Sequence, residues 1–245
     1  MLKFKPKNKS KKNTIHKKAQ LISDKQPFAF TESYKALRTN LKFMTMGGKH
    51  KKIVVTSAIP GEGKSTFSLN LAITLAETGM KVLLVDGDMR NPSVHRYLRL
   101  RQTDIPGLSS LLSGEELVEK SIGHLEKYNL HLILSGQIPP NPAELLGTSR
   151  LNEILKKLEV NYDYIIVDAP PVSVVTDAAE IAQACDGTIL LVGQKMSTQD
   201  QVLKAKANLD KVNANILGVV LNNFDMSKAN KSGSNSYSYY YGNEE

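Results

Sequence analysis

Lys64 and Ser65 close a stretch, AIPGEGKST, set between an apolar run at 53–55 and a helical-period run, FSLNLAITLAETG, that stops at Gly79. A strand, a glycine-rich loop and a helix in that order make a phosphate cradle. Gly61 and Gly63 have no Cβ to stop backbone N–H groups from turning inward. The start of the helix adds its dipole, which favours a polyphosphate. Lys64 has the reach for β- and γ-phosphates, and the Ser65 hydroxyl is a magnesium ligand by type. Pro60, Gly61, Glu62, Gly63, Lys64, Ser65 and Thr66 are therefore the expected nucleotide-binding segment. The pattern G-x-x-x-x-G-K-S opens here on Ala58 instead of glycine.

Two more apolar runs end in acid. Residues 82–85 lead into Asp86, Gly87 and Asp88, and residues 164–167 lead into Asp168. Carboxylates at the ends of buried strands are costly unless they bind something. In a parallel α/β sheet those strand ends line the ligand crevice. Ser65, Asp86, Asp88 and Asp168 are the expected magnesium set, with Asp168 as a Walker B carboxylate. Lys64, Asp86 and Asp88 are the expected catalytic residues, the aspartates as proton acceptors for an attacking hydroxyl. A plainer role for Asp88 is a turn or N-cap before a helix beginning near Pro92. The five histidines are scattered without metal spacing, and Cys185 has no cysteine to pair with.

The elements that must position these groups alternate. Helical spacing covers 31–46, with Gly47 and Gly48 as its stop. Short helices joined by turns are expected over 93–128, with Ser113 and Glu116 at capping-box spacing. Strands follow at 131–134, 187–192 and 216–221, and helices from 143, over 149–160, over 173–184 and over 198–213. Ser197 and Asp200 have capping-box spacing before the last helix. Strands alternating with helices predict an α/β fold: a doubly wound, mostly parallel sheet with helices on both faces, of P-loop NTPase type.

Charge is uneven. Residues 1–18 hold eight lysines and no acid, which equals the whole formal net charge of +8. The remainder is neutral, which argues against a nucleic-acid-binding body. Three units are expected: a basic disordered arm at 1–30, a P-loop domain at 31–225, and a flexible tail at 226–245. The arm reads as solvated, or as weakly attracted to anionic lipid. No apolar run approaches the length of a membrane span, and the N-terminal residues lack the apolar core of a signal peptide. The tail carries Tyr237, Tyr239, Tyr240 and Tyr241, four of nine tyrosines. It reads either as a stacking tail or as a cluster of phosphate acceptors. Fifteen residues beyond Met226 span up to about 50 Å, enough to reach a neighbouring site.

Taken together, AIPGEGKST, LLVDGDMR, IIVDAPP, PPNPAELL and the tyrosine cluster resemble the bacterial tyrosine kinases (BY-kinases) of capsule and exopolysaccharide synthesis. The likeness spans residues 31–241 and is to their Gram-positive form without a membrane span. It implies ATP and Mg2+ as cofactors and a tyrosine hydroxyl as acceptor. It further implies phosphorylation of Tyr237, Tyr239, Tyr240 and Tyr241 between subunits of a ring-shaped homo-oligomer. The family's Glu-x-x-Arg-x-x-Arg oligomer motif corresponds to Glu32, Lys35 and Arg38, with lysine in the middle place. Asn222 corresponds to an adenine-contacting residue, and Arg90 to a group near phosphate or acceptor. Expected partners are a membrane-embedded polysaccharide co-polymerase that activates the kinase, a tyrosine phosphatase and protein substrates, with no nucleic acid. The expected location is cytoplasmic, at the inner face of the membrane through that activator. The alternative is a MinD/ParA-like positioning ATPase without kinase activity, against which Ile59 stands where such proteins carry a signature lysine.

Overall fold

The apolar runs form one sheet in the computed structural model, which describes residues 2–3, 21–23, 26–46, 51–102 and 106–224. Among the described residues its strand order is β1 (Leu2–Lys3), β4 (Gly123–Leu125), β5 (Leu130–Ile133), β3 (Val82–Asp86), β6 (Tyr164–Asp168), β2 (Lys52–Ser57), β7 (Gly187–Gly193), β8 (Ile216–Asn222). Every neighbouring pair is parallel except β4 with β5.

β2, β3 and β6 are buried along their whole lengths, as strands covered on both faces must be. Alternate side chains feed two cores. Ile53 and Val55 pack on one side with α1 (Phe28–Met44) and α2 (Lys64–Ala76). Val54 packs on the other with α7 (Ser149–Glu159), α8 (Asp177–Ala184) and α9 (Gln199–Asp210). The doubly wound, mostly parallel P-loop architecture expected from the sequence is therefore present. Shorter helices α3 (Val94–Tyr97), α4 (Leu108–Ser113), α5 (Val118–Ser121) and α6 (Pro142–Leu146) fill the long connections.

Several local expectations need correction. The first thirty residues are not all a free arm. The backbone of Leu2–Lys3 pairs with β4, and Ile22 is buried, its N–H donating to Asn70 Oδ1 at 3.0 Å. α1 starts at Phe28, because Pro27 has the backbone angles that launch a helix. It ends at Thr45, whose hydroxyl donates to Leu41 O at 2.8 Å, before the two glycines are reached. Ser113 ends a helix, and Glu116 accepts from Leu117 N, so those two form no capping box. The box before α9 is Thr198 with Gln201, one residue later than Ser197 and Asp200. α8 starts at Asp177, four residues later than expected, because residues 172–174 turn after Pro170 and Pro171. The tyrosine-rich tail at 226–245 lies outside the described residues.

Candidate active site

The loop after β2 is built by two left-handed glycines, Gly61 (φ 85°) and Gly63 (φ 93°). At Gly63 the angle favours glycine, and a Cβ there would sit 2.5 Å from Asn222 Nδ2 and displace that side chain. Ala58 has no positive φ, and its methyl lies in the core, so the missing first glycine costs the loop nothing. α2 has no acidic residue in its own first turn, so the positive end of its dipole favours an anion from outside the helix. Lys64 is 8% exposed. Its charge acts on the Walker B carboxylate, pulling the pKa of Asp168 down against the effect of burial.

The strand ends carry the acids. Asp86 and Asp168 are register partners across β3 and β6, and Val55 of β2 pairs with Asp168 on the other side. Gly87 N donates to Asp168 O at 2.8 Å, and a Cβ there would come within 2.9 Å of that carbonyl. That close approach locks the two strand ends together. Asp86 Oδ2 accepts from Val94 N at 3.3 Å, and Ser68 Oγ donates to Asp168 Oδ1 at 3.3 Å. Asp86 Oδ1 and Asp168 Oδ2 are buried with no hydrogen-bond partner. Burial raises both carboxyls. Asp86 stands well above the ordinary carboxylate range, with burial the largest cause, followed by the charge of Asp168 and then that of Asp88. Burial lifts Asp168 to about 6, against the lowering effect of Lys64 and Ser65.

Two buried oxygens without donors, at adjacent strand ends beside a serine hydroxyl, fit a hard divalent cation. No three His, Cys, Asp or Glu side chains among the described residues form a metal cage by themselves. Magnesium suits such a partial set, because it keeps water and phosphate oxygens as its other ligands.

Asp88 is 9% exposed, and its Oδ1 accepts from Asn91 N at 2.9 Å. The turn role thus takes one of its oxygens. Glu62, expected among the nucleotide-binding residues, commits its carboxylate to the protein. It is fully buried and accepts from Ile59 N (3.0 Å), Gly193 N (2.8 Å) and Ser197 Oγ (2.7 Å). Only its backbone is left for a phosphate. Asn222 Nδ2 donates to Glu62 O at 2.7 Å, so its amide nitrogen braces the loop. Arg90, expected near phosphate, forks onto Asp177 through Nε (2.8 Å) and Nη2 (2.9 Å). Ser68 and Asp177 carry no motif, and the capping-box spacing of Ser197 does not point to Glu62. Ser68 is one of several polar residues in α2, with Asn70 and Thr74, and nothing in the sequence sets it apart from them. Away from this site, Glu32 and Lys35 pair with each other at 2.7 Å, and Arg38 Nη1 donates to Thr74 O at 3.0 Å.

Residues 48–245 match the family model described as ParA, NUBPL iron-transfer P-loop NTPase. The chain is 36% identical over 215 residues to tyrosine-protein kinase YwqD of Bacillus subtilis, covering 88% of this chain and 87% of that one. It is 34% identical over 234 residues to the putative tyrosine-protein kinase CapB of Staphylococcus aureus, covering 96% and 99%. The chain belongs to the BY-kinase family. The kinase domain of Escherichia coli tyrosine kinase ETK superposes on this BY-kinase with a TM-score of 0.76 at 34% identity, covering 78% of this chain and 74% of that one. The chimerical protein CapA2B2 superposes with a TM-score of 0.74 at 38% identity, covering 80% and 85%. In this BY-kinase the strand register sets Asp86 beside Asp168, and Val55, whose strand leads into the glycine loop, beside Asp168 on its other side.

Proposed function

We propose that this chain transfers the γ-phosphoryl group of ATP to tyrosine hydroxyls, and that the tyrosine cluster of a neighbouring copy is its first acceptor. The observation that carries the reading is the pair of donor-free oxygens on Asp86 and Asp168, register partners at adjacent strand ends. Backbone N–H groups of 61–66 and the Lys64 ammonium hold the phosphates. Ser65, Asp86, Asp88 and Asp168 would hold magnesium, which supplies charge neutralisation at the phosphate oxygens when bound. A tyrosine hydroxyl has an ordinary pKa near 10 and attacks poorly unaided. Asp86 or Asp88 accepts its proton as the new O–P bond forms and the bond to the β-phosphate bridge breaks. The raised pKa of Asp86 suits a proton acceptor.

Tyr237, Tyr239, Tyr240 and Tyr241 are the proposed acceptors, reached within a ring that uses Glu32, Lys35 and Arg38. Entering such a ring would exchange the Glu32–Lys35 pair for contacts between subunits. A membrane-embedded co-polymerase is the proposed activator, in keeping with the likeness to a chimerical protein. It would bring the kinase to the inner face of the membrane. A phosphatase would reset the tyrosines, and the cycle would regulate capsule or exopolysaccharide export. Among the described residues no helix is long and apolar enough to cross a membrane.

The test is incubation with ATP and Mg2+, with and without a candidate activator, followed by phosphosite mapping. Phosphate should appear on the 237–241 tyrosines and vanish in Lys64→Met. Phosphate confined to serine or threonine would overturn the reading. So would ATP hydrolysis stimulated by DNA or lipid with no phosphotyrosine, which is the behaviour of a positioning ATPase.

A further inference from the structure

The pocket lies where the parallel strands end. The opposite rim, where they begin, has a different surface. On one side of the sheet α1 finishes there, with Thr45 Oγ1 and the hydroxyl of Tyr164, first residue of β6, 2.6 Å apart. Phe43 and Met46 flank Thr45 and are 67% and 72% exposed. On the other side α7 finishes there, followed by Val160 at 81% exposure. Between them lie the lead-ins to the strands. Lys51 O accepts from Ile165 N, and Lys81 N donates to Asp163 Oδ2, both at 2.8 Å.

Lysines outnumber the acids on this rim: Glu77 ends α2 there, and Asp163, which accepts from a backbone N–H, has no ammonium partner among the described residues. Lys42, Lys156 and Lys157 stand in the last turns of α1 and α7. Among the described residues none of these, nor the ammonium of Lys51 or Lys81, has a carboxylate partner. Lys52 is the contrast: it is drawn inward between Glu159 and Asp186. Helix dipoles account for a lysine in a last turn. They do not account for Lys51 and Lys81, nor for three large apolar side chains left in water among the lysines.

We propose that this rim docks on an anionic lipid bilayer. All three layers of the fold contribute to it, which suits a broad planar partner. Lysines interspersed with apolar side chains are the composition of an interfacial membrane contact. Duplex DNA would use the lysines but leave Phe43, Met46 and Val160 in water. The nucleotide pocket, at the other end of the strands, then faces away from the bilayer. This inference is independent of the kinase reading.

The experiment is flotation of the full chain with vesicles of phosphatidylcholine alone or mixed with phosphatidylglycerol, at low and high salt. Two variants are compared with the wild type: Lys81→Glu/Lys156→Glu/Lys157→Glu and Phe43→Ser/Met46→Ser. The basic residues 1–18 stay in every sample as a constant background. Binding of a fluorescent ATP analogue at the distant pocket reports folding; a charge variant that fails it is replaced by the single reversal Lys157→Glu. The wild type should float with anionic vesicles only, and less at high salt. Charge reversal should weaken partitioning by at least about a hundredfold, since loss of each lysine at such a surface is worth about fivefold and each new carboxylate is repelled besides. The apolar variant should weaken it by about tenfold. Flotation unchanged in both variants would assign binding to residues 1–18 and overturn the proposal. Absence of flotation, or DNA binding lost with the lysines but indifferent to Phe43 and Met46, would overturn it too.

Discussion

Asp86 and Asp168 face each other across β3 and β6, and each keeps one buried carboxylate oxygen without a donor. Two acids held this close repel when both are ionised. Asp168→Asn should relieve that repulsion, its amide able to donate where Asp86 Oδ1 has no partner. The ligand-free chain should gain on the order of 1 kcal/mol, a melting temperature about 2–4 °C higher. Tyrosine phosphorylation should fall at least about a hundredfold. A melting temperature below wild type would refute the strained pair.

Proton linkage gives a second test. The Asp168 carboxyl moves from an ordinary 3.8 to about 6 on folding, so the native state binds the proton more tightly than the unfolded chain. Its contribution to stability is complete below about 3.8 and is lost as pH rises through about 6. Asp86 shifts in the same direction. Magnesium-nucleotide needs the ionised forms, so its affinity should climb with pH up to the neutral range, with proton release on binding. Calorimetry at about pH 6, in two buffers of different ionisation enthalpy, reads that release directly. Equal heats in the two buffers would exclude it.

Glu62 ties the phosphate loop to the turn after β7 through Gly193 and Ser197. Glu62→Gln keeps the shape but loses an acceptor, leaving a buried donor unmet at a cost of about 1–3 kcal/mol. Denaturant titration should show that loss, together with weaker ATP binding, because the loop is braced less firmly. Unchanged stability and affinity would mean the brace is idle.

Arg90 and Asp177 are unequal partners: the arginine side chain is 42% exposed and the aspartate fully buried. Arg90→Ala strands a buried carboxylate, whereas Asp177→Asn frees a guanidinium that water can reach. The first should therefore destabilise more than the second, by about 1 kcal/mol or more after allowing for solvent around the arginine. Thermal melts of the two variants decide this, and the reverse order would contradict it.

Much of the site was legible because local rules produced it. The glycines of the loop, the lysine and serine that follow, and the acids after apolar strands are read within a few residues of chain. Helix starts were read less well. α8 begins late because two prolines hold the preceding backbone in a turn, and the box before α9 sits at Thr198 because its hydroxyl, not that of Ser197, meets the N3 amide. Ser197 instead serves Glu62, a partner 135 positions away that no window along the sequence contains.

The sequence by itself determined the order of the main strands and helices, the mostly parallel sheet and the phosphate loop, since hydrophobic period and glycine placement are short-range properties. The short strands β1 and β4, made by pairing with distant or neighbouring segments, were not read. Tertiary structure alone decided what the polar groups do once there. Strand register set Asp86 against Asp168, and packing gave the Glu62 carboxylate and the Asn222 amide nitrogen bracing hydrogen bonds. Folding also gathered Phe43, Val160 and Lys81 on one rim. Those outcomes depend on which distant backbone each side chain meets, and burial then fixes whether its charge finds a donor, a cation or nothing.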